Sequence, residues 1–369
     1  MKEGWEYKKF EDALQKVKYT KKLQTSEFLS EGSIPIISQE EEYISGYWNK
    51  SEDSFKVDSP VVVFGDHSRV LKYVDFDFVL GADGVKILKP IDGLQAKYLY
   101  HYLKWYNVPS MGYSRHYKFL KEITLPIPSL SEQKQIVAEL DLLSGAIEKQ
   151  KSQLEELDEL AQSIFYDMFG DPVANEKGWE KSLLGKTCVH ITDGDHMPPP
   201  KSENGIPFIT ISDIDKNTRV VNFDNTFFVP KQYFESLKEE RIAKYGDVLY
   251  TVTGSYGIPV VINFEKQFCF QRHIALLRPN KKLLDSYFLC YWVLCESVKR
   301  MADEVATGIA QKTVGLNSLR KFPIILPHLS LQQEFASKIE AIESMKAKVR
   351  QSLSEAETLF NSRMDYYFN

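Results

Sequence analysis

The sequence predicts an α+β chain of two β-rich domains separated by two long antiparallel coiled-coil helices, built as a pseudo-twofold internal repeat. Three observations carry this. The 369-residue chain contains a weak copy of itself, at a period far longer than solenoid repeats. Each copy opens with short strand-like runs bounded by Gly, Asp and Pro. Each closes on a long heptad-patterned stretch without proline.

The repeat is read from four matches in the same order. Gly4-Trp5-Glu6 matches Gly178-Trp179-Glu180, and the run from Gly32 to Ile37 matches Gly205 to Ile209. Tyr98-Leu-Tyr-His-Tyr102 resembles Tyr287-Phe-Leu-Cys-Tyr291. Leu120 to Gln133 matches Leu319 to Gln332 most clearly. The offset grows from 174 to 199, so the second copy carries insertions. The predicted boundaries are a first domain at 1–128, a first spacer helix at 129–170, a second domain at 171–327 and a second spacer helix at 328–369.

Within the domains, strands are expected at 61–64, 73–80, 84–88, 220–229, 247–252, 260–264 and 274–277, where apolar or alternating runs stand between turn residues. One helix interrupts each domain, near 95–106 and 284–301. The first long helix runs from Ser131 to Phe169, with Ser129 and Glu132 as a capping box and Gly170-Asp-Pro172 as its stop. At 39 residues it would be about 58 Å long. The second runs from Ser330 to the end, with Ser330 and Gln333 as its capping box.

Apolar residues on the two helices step by four and three, the coiled-coil rhythm. The first seam is Ile136, Leu140, Leu143, Ile147, Leu154 and Leu157, with Gln150 filling the gap. The second is Ile339, Ile342, Val349, Leu353, Ala356 and Phe360, with Lys346 in the gap. A parallel pairing would bury each polar residue against an apolar one, at about 1–3 kcal/mol each. An antiparallel pairing with Gln150 opposite Lys346 puts both in one layer, so that register is expected.

Composition bounds the function class. The net charge is −5, but it is unevenly placed. Residues 1–128 carry 18 basic and 18 acidic side chains, 129–171 carry 3 and 10, 172–327 carry 20 and 17, and 328–369 carry 5 and 6. The acidity lies in the first helix, so a basic face on either domain is allowed. Cys188, Cys269, Cys290 and Cys295 show no CxxC spacing and no disulfide rhythm, as expected of reduced thiols. The opening MKEGWEYKKFEDAL lacks an apolar leader core, and no run is long enough to cross a bilayer, so a cytoplasmic chain without a membrane partner is expected.

Catalytic motifs are missing. Gly185-Lys-Thr187 suggests a phosphate loop, but Glu180 stands where the first glycine is needed. No H-E-x-x-H, no G-x-S-x-G and no N-P-P-[FY] or D-P-P-Y segment occurs, and Met197-Pro-Pro-Pro200 is a rigid polyproline loop. Asp193-Gly-Asp-His196 is the one constellation that could bind a metal, and its other reading is a turn built on Asp193-Gly194. No bound metal and no catalytic residue are expected. A metal-dependent enzyme using that loop, and a coiled-coil scaffold that binds only protein, are the alternatives.

The order of these motifs resembles the specificity subunit of type I restriction–modification systems. The resemblance rests on Pro126-Ile-Pro-Ser-Leu-Ser-Glu-Gln133, Ser163-Ile-Phe-Tyr-Asp-Met-Phe-Gly-Asp-Pro172, Ile191 to His196 followed by Pro198, Gly205 to Ile209, Pro327-His-Leu-Ser-Leu-Gln332 and Leu359-Phe-Asn-Ser-Arg-Met364. It covers essentially the whole chain. It implies two target-recognition domains, each reading one half of a split, asymmetric site in double-stranded DNA. It implies spacer helices that dock modification subunits, which bind S-adenosylmethionine and methylate adenine, while this chain binds no cofactor. A restriction motor-nuclease subunit is a further partner that the family admits. Leu331 stands where Glu132 stands in the first copy, a departure from the repeated pattern.

Base reading needs side chains with two-point hydrogen bonding, and phosphate contact needs positive charge or backbone amides. Loops at matching places in the repeat supply the DNA-binding candidates. In the first domain these are His67, Arg69, Lys72, Arg115, His116 and Lys118. In the second they are His196, Lys201, Ser255, Tyr256, Gln311 and Lys312.

Overall fold

Gly4-Trp5-Glu6 and Gly178-Trp179-Glu180 each lead into a short strand, Glu6–Lys9 and Lys181–Leu183. Each strand pairs antiparallel with the proline-containing strand that ends its own copy, Thr124–Ile127 and Pro323–Ile325. The computed structural model describes residues 2–81, 84–112, 114–194, 199–308 and 311–369. The chain divides into two compact units, one of Met1–Ser152 with Arg350–Asn369 and one of Gln153–Val349.

In the first unit a four-stranded antiparallel sheet has the order Leu14–Gln15, Val85–Pro90, Val61–Gly65, Leu71–Val74. A second sheet orders Lys22–Leu23, Val79–Gly81, Ile34–Ile37 and Gly46–Trp48, with parallel pairs around Val79–Gly81. The expected strand at 73–80 is two strands. Asp77 ends the excursion between them by accepting from the Val57 N–H at 2.9 Å. The helix Ala96–Tyr106 covers the first sheet, and Val62, Phe64, Leu88, Tyr98 and Leu99 pack with Ile136 and Leu140 of the long helix.

The second unit repeats this topology. Its four-stranded sheet runs Cys188–Asp193, Ile274–Pro279, Val248–Thr251, Pro259–Val261, in the same order of equivalents. Its smaller sheet sets Ile206–Ile209 between Phe227–Val229, antiparallel, and Cys269–Phe270, parallel. Of the run expected at 220–229, only Phe227–Val229 is a strand. The helix expected at 284–301 breaks at Cys295, whose extended ψ of 136° separates Ser286–Leu294 from Glu296–Val305. The core gathers Phe165, Phe169, Phe288 and Phe335, with ring centroids 4.8–5.6 Å apart. Burying each ring contributes about 1.5–3 kcal/mol. This is why the Ser163–Phe169 motif spaces its two phenylalanines one helical turn apart.

The long helices span Leu130–Phe169 and Leu329–Phe368. Gly170, at φ +75°, ends the first, with its N–H on the Tyr166 carbonyl at 2.8 Å. At the start, the Ser129 hydroxyl accepts from the Glu132 N–H at 3.3 Å. The second helix starts one residue before the expected Ser330, which therefore lies inside it. There the His328 carbonyl accepts from the Leu331 and Gln332 N–H groups. The repeat aligns His328, not Ser330, with Ser129, so the expected second capping box was placed two residues late.

Gln133 and Gln332 are both fully buried and do the same work. The Gln133 amide donates to the Gly93 and Pro128 carbonyls and accepts from the Gln95 N–H, all at 2.8 Å. Gln332 donates to the Leu283 and Pro327 carbonyls and accepts from the Asp285 N–H, at 2.8–3.0 Å. Each glutamine thus fastens the start of a long helix to the loop before its own unit's helix.

Seam positions are buried at Ile136, Leu140, Ile339, Ile342 and Lys346. They are half-buried at Leu143, Ile147, Gln150, Leu154, Leu157, Val349, Leu353, Ala356 and Phe360. Inside the first unit the contacts are antiparallel: Glu139 accepts from Arg363, and Gln150 donates to Ser352 at 2.7 Å. Inside the second they are antiparallel too: Lys346 donates to Asp158 at 2.9 Å, and Phe335 meets Phe165. The expected register is corrected here. Within the first unit Gln150 faces Ser352, and within the second the buried Lys346 ammonium takes the carboxylates Asp158 and Glu343, at 2.9 and 2.7 Å. A carboxylate offers a lysine a stronger, charge-assisted bond than an amide does.

Candidate nucleic-acid interface

In each four-stranded sheet, one end gathers loops that carry several of the candidates. In the first unit Gly65 lies opposite Val85, so the 65–69 turn and the connection before Val85 leave the same end. Asp66, 3% exposed, ties them: its N–H donates to the Gly84 carbonyl at 2.7 Å. The Asp66 carbonyl accepts from the His116 N–H at 2.7 Å, and its carboxylate accepts from the Tyr117 N–H at 2.8 Å. The loop ending at Lys118 is thereby brought to the same place. Asp66 was not among the candidates, although its Gly-Asp turn was visible in the sequence.

The structure sorts the first group by exposure. Arg115 and Lys118 are exposed, and the Lys118 ammonium lies 5.0 Å from the Phe119 ring centre. His67 is half-buried, with its N–H on the Gln39 side-chain oxygen at 3.3 Å. Arg69 adopts φ 65° in the turn and donates to the Val108 carbonyl at 2.9 Å. Two candidates are corrected. Lys72 is 3% exposed, its ammonium donates to the Glu42 carbonyl, and burial holds its pKa below the usual lysine value against the pull of Glu42 and Glu40. It shares the inner face of Leu71–Val74 with Val74. His116 is 1% exposed. Its Nε2 accepts from the Met111 N–H at 3.3 Å, so Nδ1–H donates to the Asp66 carbonyl at 3.0 Å. Both are parts of the scaffold beneath the loops.

In the second unit Asp193 lies opposite Ala275 and Thr251 opposite Ile274. The ends of Cys188–Asp193 and Val248–Thr251 and the start of Ile274–Pro279 therefore coincide. The Gly254 N–H donates to the Lys312 carbonyl at 3.0 Å, and Thr253 bridges Thr313, which brings 253–257 and 311–313 together. Ser255, Gln311 and Lys312 are exposed. Tyr256 donates to the Asp303 carboxylate at 2.5 Å, and that bond raises its pKa. Lys201 is exposed, its ammonium 5.0 Å from the Phe227 ring centre. His196 lies outside the described residues, as do Asp195, Met197 and Pro198.

Asp193 of the metal-loop alternative faces the Arg241 guanidinium at 3.7 Å. Gly194 serves close approach: a Cβ there would stand 1.9 Å from the Phe270 carbonyl oxygen. No group of three metal-ligating side chains occurs among the described residues. All four cysteines are buried thiols, and burial pushes Cys188, Cys290 and Cys295 up to about 12. Such thiols stay protonated and unreactive. No helix among the described residues is long and apolar enough to cross a membrane.

Sequence reasoning missed the turn Gln271–Ile274, which joins the two sheets at this same end. Its signal was the polar run Gln271-Arg272-His273 between two apolar strands.

Comparison with known proteins agrees with the duplication. The family described as type I restriction modification DNA specificity domain matches residues 2–157 and again 177–357. A putative type I restriction enzyme MjaX specificity subunit of Methanocaldococcus jannaschii is 25% identical over 185 residues, 47% of this chain and 42% of that protein. The type I restriction enzyme MjaVIII specificity subunit of the same organism is 21% identical over 209 residues, 51% of this chain and 48% of that one. The matches thus span under half the length of each curated relative. Among solved structures, the S subunit of a type I restriction–modification system from M. genitalium aligns with a TM-score of 0.61 at 16% identity, over 98% of this chain and 95% of that one. A chain from a structure on complex assembly and conformational transition of the type I R-M system aligns at 0.53 and 18% identity, over 100% and 98%. At such identities the likeness is one of fold.

Proposed function

The chain belongs to the type I restriction–modification DNA specificity family, and on that premise we propose that it is the non-catalytic subunit that reads DNA for a type I complex. The observation that carries this is the duplicated sheet end: the same topological place in both units holds stitched loops with exposed polar and basic side chains. Such loops suit double-stranded DNA, with lysines and arginines on phosphates and forked side chains on base edges. Because the two loop sets differ in sequence, the two half-sites differ and the site is bipartite and asymmetric.

In this reading the recognition domains occupy 1–128 and 171–327, and the spacer segments 129–170 and 328–369 pair as a coiled coil. The spacers dock modification subunits, which hold S-adenosylmethionine and methylate adenine, in a cytoplasmic complex that leaves room for a restriction motor-nuclease subunit as an optional further partner. Methylation sequencing of DNA from cells expressing this chain with its cognate modification subunit tests the reading. Methylated adenines at one split site are expected. Methyl transfer by this chain alone, or methylation without a sequence motif, overturns it.

A further inference from the structure

Arg272 stands at the centre of the second unit's sheet end. The strand Ile274–Pro279 that it precedes lies between Cys188–Asp193 and Val248–Thr251 in the sheet order. The connections at 193–194 and 252–257 therefore flank the turn on both sides.

The turn is fixed on every edge. The Gln271 N–H donates to the Ile209 carbonyl at 3.0 Å, and the Ile274 N–H closes the turn on the Gln271 carbonyl at 3.1 Å. The Val252 N–H donates to the His273 carbonyl at 2.9 Å. Gly194 packs so closely against Phe270 and Gln271 that no side chain fits between them.

The Arg272 side chain is exposed, and its Nε–H donates to His273 Nε2 at 3.3 Å. That bond occupies the inner nitrogen of the guanidinium and leaves the two terminal nitrogens of this exposed side chain as a fork. A fork of two parallel N–H donors fits the O6 and N7 acceptors of guanine in the major groove. A phosphate contact would need neither a central position nor a buttressed fork. Burial and the adjacent Arg272 charge hold the His273 pKa below the ordinary histidine value, so the ring keeps Nε2 as an acceptor near neutral pH. The equivalent connection in the first unit, Gly81 to Gly84, contains no arginine and no histidine.

We propose that Arg272 reads a guanine in the half-site of the second domain, with His273 as the positioning residue that aims its guanidinium. This rests on the DNA-reading function proposed above.

The test uses the full chain in complex with its cognate modification subunit. Wild type, R272A and H273A are titrated with duplexes that carry each base pair in turn at every specified position. R272A should lose about 10- to 100-fold of guanine preference at one position of one half-site. The other half-site should be read as before, which also reports that the variant folds. H273A should relax the same position and no other, by a smaller factor, a pattern that general destabilisation would not give. An R272A complex with the wild-type preference at every position overturns the proposal. So does a loss spread evenly over all duplexes with a salt slope reduced by about one, the mark of a phosphate contact. A wild-type complex without any split preference is a different failure, that of the DNA-reading function itself, and it removes the proposal with it.

Discussion

The two units use one topology beneath two different surfaces. Gln133 and Gln332 are buried alike, make the same three bonds and fasten equivalent segments. At the sheet ends the likeness stops. Asp66 closes the first set of loops through its backbone and carboxylate, whereas Thr253, Gly254 and Thr313 close the second through backbone and hydroxyl groups. The connection leading into the second strand of the sheet order is Gly81 to Gly84 in one unit and Gln271-Arg272-His273 in the other. Duplicated scaffolds keep the groups whose loss would leave buried backbone unsatisfied. Loops that meet solvent are free to diverge without that cost.

The sharpest test of the shared scaffold is Gln133→Ala beside Gln332→Ala. Each removes three hydrogen bonds at a buried site, at about 1 kcal/mol apiece, so each should cost about 3 kcal/mol. Hydrogen exchange resolved by segment should show each loss in its own unit. A loss in one unit of less than half that in the other would break the equivalence.

The polar positions of the seam should separate next. Lys346 is fully buried between Asp158 and Glu343, and the Arg219 guanidinium also reaches Asp158. Removing one partner of a buried pair costs about 3–5 kcal/mol, but both carboxylates keep some water, so Lys346→Ala should cost about 2–3 kcal/mol in denaturant titration. Gln150 has one side-chain bond, to Ser352, and Gln150→Ala should cost about 1 kcal/mol or less. Similar costs for the two would show that Lys346 acts only by its packing.

Lys72 and Arg115 test the division between scaffold and surface. Arg115→Ala should weaken DNA binding by the complex, with the salt slope reduced by about one if it meets phosphate. Lys72→Met should leave both affinity and salt slope unchanged, since its ammonium is already bound to Glu42. A changed salt slope for Lys72→Met would return it to the interface.

The smallest effect concerns acid. Burial pushes the Asp158 carboxyl up, but Arg219 and Lys346 outweigh burial and hold its pKa below the ordinary 3.8. The stability this contributes is complete above the unfolded value and is lost as pH falls through the folded one. Thermal melts of the second unit should therefore drop below about pH 4, and Asp158→Asn should flatten that acid limb. An unchanged limb would assign the acid sensitivity to other carboxylates.

Much of the architecture was legible because it is written in local periodicity. The Leu120–Gln133 and Leu319–Gln332 match located both proline-containing strands and both helix starts, and Gly170 stopped the first helix where the sequence said it would. Local reading failed where a distant segment decides the outcome. A lysine between Leu71 and Tyr73 reads as solvated until Glu42 arrives over it, and a histidine before Tyr117 reads as a loop contact until the Asp66 carbonyl takes its ring. The capping residue of the second copy was missed by two residues, because His328 stands where the first copy has Ser129.

The sequence by itself determined the duplication, the two long helices with their heptad faces and the family, because each is set by spacing along the chain. Only the tertiary structure decided which polar groups are buried and with whom, Lys346 with Asp158 and Glu343 and Lys72 with the Glu42 carbonyl, and that Arg272 stands exposed at a sheet end. Burial is a property of the face that another segment covers. No pattern within one segment records what will cover it.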